Sequence, residues 1–249
     1  MCRKKFIASC SGGKDSVATL IVAAENNEPL DEVVYSEVMF DRNISGEVPE
    51  HRDFIYDVLE PFCERKLGVP FTILHSKKTY EDVFHHIMVR GSHRGMLRGF
   101  AWPGICTVNR DCKIPPITKY IKGLSANVIS YVGIAADEPI RLARLDGTNK
   151  VSLLEKYGVT EEDARKMCEG QGLLSPIYDR CNRNGCWFCP NAKDAEWRHI
   201  LINHPALFDR IIQWEQEENV FHRRITRTET PSELKMRLLP SASVGFCVS

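Results

Sequence analysis

The hexapeptide Ser11-Gly12-Gly13-Lys14-Asp15-Ser16 stands between a short apolar run, residues 5–10, and a segment in which Val17, Leu20, Ile21 and Ala24 recur at helical spacing. A strand that turns through a glycine pair straight into a helix is the strand-to-helix joint of a parallel sheet. The rest of the first half repeats that alternation. Residues 33–40 and 71–75 read as strands, 49–67 as a helix, and Thr79-Tyr80-Glu81-Asp82 as the cap of another. A helix follows Pro115-Pro116, and residues 128–134 form the last clear core strand. The pattern predicts an α/β fold: a parallel five-stranded Rossmann-like sheet, four of whose strands are marked above, with right-handed crossovers, followed by a small C-terminal helical lobe. The expected divisions are residues 1–145 for the α/β domain, 146–225 for the helical lobe, and 226–249 for a flexible polar tail.

The hexapeptide has the chemistry of a phosphate cradle. Two glycines let backbone N–H groups approach an anion, and the helix start adds its positive dipole end. Lys14 brings a point charge, Ser11 and Ser16 bring hydroxyls, and Asp15 can assist a magnesium ion or organise the turn. A Walker A loop is excluded, because Ala8 stands where its first glycine belongs and Asp15 follows the lysine. The alternative is a plain glycine turn with a polar helix cap.

Ten cysteines are many for a chain without a signal peptide or an apolar run near the ~20 residues that span a bilayer. In the expected cytoplasmic compartment they read as metal ligands, redox groups or buried small residues. Cys181-x4-Cys186-x2-Cys189-Pro190 is the strongest pattern, since a Cys-x-x-Cys turn converges two sulfurs on one centre. Its spacing occurs in iron–sulfur proteins, and the Cys-x-x-Cys alone also in zinc sites. Proximity in the chain favours Cys181 and Cys168 as further ligands, while Trp187 and Phe188 supply an apolar cover. Cys2, Cys10 and Cys63 read as structural or exposed thiols.

Three segments together resemble a known family. Ser-Gly-Gly-x-Asp-Ser after the first strand is similar to the pyrophosphate loop of the ATP pyrophosphatase superfamily. Cys106-Thr107 with Lys113-Ile114-Pro115-Pro116-Ile117, and the stretch from Gly133 to Arg141, resemble segments of its phosphoadenosine phosphosulfate reductase-like family. The resemblance implies an adenine nucleotide alpha hydrolase-like sheet that binds ATP or an adenylyl sulfate-type nucleotide with Mg²⁺. It implies nucleotide contacts from Ser11, Gly12, Gly13, Lys14, Asp15, Ser16, Asp41 and Arg141, and catalytic roles for Lys14, Asp15, Lys113, Asp137 and Glu138. Asp41 and Asp137 have ordinary alternatives as loop or turn residues. Carried over, the metal ligands are Cys106, Cys168, Cys186 and Cys189, with Cys181 and Cys112 in reserve, holding a [4Fe-4S] cluster or else Zn²⁺.

Two chemistries follow from the resemblance: adenylylation by ATP with pyrophosphate release for sulfur transfer, or adenylyl-sulfate reduction with sulfite release. A non-catalytic nucleotide- and metal-binding regulatory module is the third possibility. The reductases' tail nucleophile sits in Glu-Cys-Gly-x-His, whereas this chain ends Gly245-Phe246-Cys247-Val248-Ser249, which weighs against sulfite release. The implied partners are a nucleotide and either a sulfur-donor protein or a thioredoxin-like reductant. With 33 basic and 33 acidic side chains, bulk charge gives no indication of a nucleic-acid acceptor. A loop bearing His85, His86, His93, Arg90, Arg94 and Arg98 is either a lid over a polyanion or a solvated basic loop. The run Arg223, Arg224, Arg227, Lys235 and Arg237 reads as a solvated face.

Overall fold

The computed structural model describes residues 4–104, 106–181 and 185–239. Strand β1 (Lys4–Ser9) runs through the glycine pair into α1 (Lys14–Glu25), whose Val17, Leu20 and Ile21 are buried against the sheet. After β2 (Glu32–Glu37) comes α2 (Pro49–Phe54), which continues in wider π-type turns over Ile55–Leu59 and Phe62–Leu67 and stops at left-handed Gly68. β3 (Phe71–His75) leads to α3 (Tyr80–Phe84), opened by the Thr79–Asp82 capping box that the sequence predicts. Then come β4 (Leu97–Gly99), a π-type turn at Asn109–Lys113, α4 (Ile114–Gly123) and β5 (Asn127–Val132).

The remaining chain is mostly helical. It comprises α5 (Pro139–Leu142), β6 (Lys150–Val151), α6 (Leu153–Lys156), α7 (Glu161–Gly170), α8 (Asp194–Asn203), α9 (Pro205–Glu215), β7 (Val220–His222) and α10 (Pro231–Leu238). Five strands form one parallel sheet in the order β3-β2-β1-β5-β6. The order reverses between β1 and β5, and such a switch point opens a crevice at the carboxyl ends of the strands. Ser9 pairs with Val132 there, so the phosphate loop and Gly133 leave the sheet side by side. The fifth strand is two exposed residues at the edge, too short to show in the sequence pattern.

Three apolar cores result. One covers a sheet face with α1, α6 and α7, and a smaller one on the other face gathers Ile7, Val34 and Val128 beneath α4. The third is an aromatic cluster in which Phe40, Tyr80 and Phe84 pack with Trp187, Phe188 and Trp214. The cores do not divide at residue 145. α7 packs against α1, while residues 80–112 contribute to the aromatic core with residues 177–238. The expected flexible tail from residue 226 is also corrected in part. Thr230 and Glu233 make a capping box, and α10 buries Leu234 and Leu238 completely in the aromatic core. Residues 240–249, including Cys247, lie outside the described residues, as does Cys2. Among the described residues no helix is long and apolar enough to cross a membrane.

Candidate functional site

The phosphate loop is held by its own side chains. Ser16 Oγ donates to the Gly13 carbonyl at 2.8 Å and accepts from the Ser11 N–H at 3.2 Å, which closes the turn on itself. Gly12 sits at φ +73°, and a Cβ there would meet the buried His51 ring at 2.9 Å. His51 Nε2 lies 3.0 Å from the Ser11 carbonyl and its Nδ1 2.8 Å from Ser175 Oγ, so α2 buttresses the loop. From the other side, Lys14 N–H donates to Tyr178 Oη at 3.1 Å.

Burial lowers the His51 pKa, so its ring stays neutral in the fold. A base whose folded pKa lies below its unfolded value, about 6.5, contributes stability that is fully present above that value. The contribution is lost as the pH falls through the lower folded value. The stability gap between wild type and His51→Gln should therefore shrink from pH 7.5 to pH 5.5, measured as urea midpoints. A gap that does not change with pH would overturn this assignment.

Around the loop stand the acidic residues. Carboxylate oxygens of Asp15, Glu138 and Glu161 lie within 4.8 Å of one another. Lys14 Nζ is 2.7 Å from Asp15 and 3.7 Å from Glu161. Arg141 pairs with Glu138 at 2.5 Å, and Glu138 also accepts the Ala135 N–H at 3.1 Å. An all-oxygen trio next to a phosphate cradle is the donor set a hard divalent cation prefers. Asp137 is exposed and accepts the Glu161 N–H at 3.1 Å, which ties down the start of α7. Asp41 is buried, and its carboxylate is shared between the Asn43 and Ile44 amides, at 2.8 Å each, and Arg210 at 2.6 Å. Glu161 escaped the sequence analysis because Thr160-Glu161-Glu162-Asp163 reads simply as a helix cap.

Lys113 lies between this loop and the cysteines. Its carbonyl accepts from Ser36 Oγ at 3.0 Å, and its ammonium is within electrostatic range of Cys10, His51 and Cys186. Among the described residues no carboxylate pairs with it. Glu47, which the sequence did not mark, is buried on the same side. It bridges to Cys186 through backbone, and its Oε1 has no hydrogen-bond partner.

Cys186 and Cys189 share one turn, closed by the Cys189 N–H on the Cys186 carbonyl at 3.0 Å. Cys106 accepts the Asn109 N–H at 3.2 Å and interacts electrostatically with Cys186. Gly104 donates to Asn191 Oδ1 at 2.8 Å, tying that segment to the knuckle. Cys181 lines a cavity of about 30 Å³ with Cys186 and Cys189. Burial, reinforced by Glu47 and opposed by Lys113, pushes the Cys186 thiol well above its ordinary pKa. Binding a metal there would expel protons. An all-thiolate set fits a soft centre, iron–sulfur or zinc.

Cys168 is not brought to this neighbourhood. Together with Ala164 it forms the buried face of α7, and its Sγ donates to the Lys14 carbonyl at 3.3 Å. Burial, then Cys10 and Asp15, push its pKa up to about 12. Cys112 is buried in the aromatic core and raised by burial to about 12. In the basic loop, His85 bonds Glu217 at 2.8 Å and His93 stacks on Phe221. In the later basic run, Arg237 pairs with Asp194 and Glu229, and Lys235 with Asp209.

A polar recess of about 490 Å³ opens at the ends of β2 and β3, lined by Glu37, Glu47, Arg52, Tyr56 and His75. Burial alone would raise the Glu37 pKa, but hydrogen bonds from Ser45, Tyr56 and His75 outweigh it and the carboxyl is lowered.

No family model matches the chain. It is similar to an uncharacterized 37.8 kDa protein in the gpa 5′ region of Escherichia phage 186, 25% identical over 272 residues, which spans 91% of this chain and 79% of the phage protein. Among solved structures it is similar to the U34-tRNA thiolase NcsA from Methanococcus maripaludis with its [4Fe-4S] cluster. That likeness has a TM-score of 0.44 at 15% identity and covers 95% of this chain and 82% of the other.

Proposed function

We propose that this chain is a pyrophosphate-loop enzyme of sulfur metabolism or sulfur transfer. It binds ATP, or a related adenylyl nucleotide, with its phosphates on Ser11 to Ser16, beside a cysteine-ligated centre. The observation that carries the reading is the position of Lys113, within electrostatic range of Cys10 and His51, which adjoin the loop, and of Cys186. Phosphate chemistry and thiolate chemistry then face one space. Asp15, Glu138 and Glu161 would hold Mg²⁺, and the recess at Glu37 and Tyr56 would take the nucleoside.

In the reaction an acceptor oxygen attacks the α-phosphorus. The bond from that phosphorus to the bridging oxygen of the β-phosphate breaks, and pyrophosphate leaves with the electron pair. The adenylyl group remains on the acceptor, whose proton passes to solvent. Lys113 and the loop N–H groups neutralise charge on the departing pyrophosphate. Cys106, Cys186 and Cys189 would hold the centre, an iron–sulfur cluster or zinc, which when bound supplies a site for sulfur. The sulfur donor and acceptor are partners still to be assigned.

The test is anaerobic purification with iron, zinc and acid-labile sulfide analysis, followed by ATP–pyrophosphate exchange with a purified cellular RNA fraction, and separately a metabolite extract, supplied as the acceptor. Expected are bound metal and measurable exchange, with metal lost in Cys186→Ala and retained in Cys168→Ala. Sulfite release from adenylyl sulfate would favour the reductase reading instead. Nucleotide binding without either turnover would leave the regulatory module.

A further inference from the structure

We propose that Glu50, His199 and His204 form a binding site for a first-row transition-metal ion of the zinc class, adjoining the cysteine cavity, whose wall His199 shares. Three distant pieces of chain converge there. Glu50 is the second residue of α2, His199 lies in α8, and His204 stands at the joint between α8 and α9, ahead of Pro205. One ligand atom from each lies within 4.8 Å of the other two. Glu50 Oε1 is 3.0 Å from His199 Nε2, and Glu50 Oε2 is 3.0 Å from His204 Nε2.

The geometry at His199 distinguishes a metal site from an ordinary ion-pair cluster. Its side chain is only 7% exposed, and its Nε2 is sealed from solvent. A Glu50 carboxylate oxygen lies 3.0 Å away, a contact that helps to hold that carboxyl below its ordinary pKa, yet among the described residues Nε2 has no well-aligned hydrogen bond. A buried imidazole nitrogen close to a carboxylate but not directed at it is how two donors look when both face a common point. Ligands about 2.0–2.2 Å from a tetrahedral ion stand roughly 3.4 Å apart, a small opening from the separations seen here.

The rest of the surroundings suit an ion. Asn203 meets His199 Nδ1 at 3.0 Å. The same amide nitrogen donates to the His199 carbonyl at 3.0 Å, so Asn203 fixes the orientation of the ring. Glu50 and His204 are 37% and 21% exposed, which leaves an entry path and a coordination position for water. Imidazole and carboxylate together select zinc, cobalt or nickel over the softer demands of the thiolate knuckle. The ion would fasten α2, whose next residue His51 supports the phosphate loop, to α8 and α9.

Cobalt(II) added to the full-length protein tests this, because thiolate ligation gives an intense near-ultraviolet charge-transfer band and a nitrogen–oxygen site gives only weak visible bands. The wild type should bind one cobalt with visible bands of the nitrogen–oxygen type, displaced by zinc, besides the cobalt that the cysteines take up with a thiolate band. Glu50→Gln and His204→Ala should each weaken that binding by at least about tenfold, and leave the thiolate band unchanged. Zinc should raise the unfolding temperature of the wild type more than that of His204→Ala. Absence of the nitrogen–oxygen signal from the wild type, or its full persistence in both variants, overturns the site. Neither result touches the nucleotide reading, which exchange measures separately.

Discussion

Lys113→Ala is expected to lower ATP–pyrophosphate exchange by about 10²–10³-fold, the usual consequence of removing one preorganised charge from a developing anion. The expectation rests on the different commitments of the two loop-side lysines. Lys14 is already neutralised by Asp15 at 2.7 Å and lies near Glu161, so its charge also serves the acidic trio. Lys113 has no paired carboxylate among the described residues, and Ser36 anchors its backbone at 3.0 Å. Its charge is thus not spent on a carboxylate of its own. The loss should fall on kcat more than on KM if Lys113 acts on the leaving pyrophosphate, and Lys113→Arg should recover only part of it. Metal content should not change. Exchange within threefold of wild type would remove Lys113 from the reaction.

The alternation of strands and helices and the turn from β1 through the glycine pair into α1 were legible in the sequence, because each is written in neighbouring residues. Thr79 and Thr160 announce their helices by capping boxes four residues long, and both are present. What escaped is what depends on distant residues. Glu47 and His51 look like ordinary polar positions until α2 brings them against the loop and knuckle. Cys168 is near the knuckle in sequence, but the i, i+4 pair Ala164 and Cys168 gives α7 a small apolar face that fits against α1. Packing decided that cysteine, and spacing could not reveal it. The edge strand Lys150–Val151 was invisible for another reason: two exposed residues carry no periodicity. The polar composition after residue 226 masked α10, whose Leu234 and Leu238, one helical turn apart, share one buried face while Met236 points outward.

Gly133→Ala should be the most damaging single methyl group in the molecule's nucleotide crevice. Gly133 follows β5, and a Cβ there would stand 2.5 Å from Ser16 N and 2.7 Å from Ser16 Cα and the Asp15 carbonyl carbon. All three are backbone atoms in the first turn of α1, so no rotamer change relieves the contact. Nor can the turn retreat easily, since Ser16 Oγ is tied to both Gly13 and Ser11, while Tyr178 holds Lys14 from outside. Overpacking costs about 1–3 kcal/mol in adaptable cores, and a backbone neighbour puts this site at the upper end. At roughly 2–4 °C per kcal/mol for a chain of this size, the unfolding midpoint should fall by about 6–12 °C. On the proposed function the displaced atoms are those that would face the phosphates, so nucleotide affinity should fall as well, by about tenfold or more. Gly123→Ala is the matched control. It adds the same methyl group at the end of α4, where nothing lies within 4 Å, and should be neutral or stabilise by up to about 1 kcal/mol. Equal midpoints for the two variants would mean that the strand end and the loop are not pressed together, and the crevice would lose the wall on which its geometry depends.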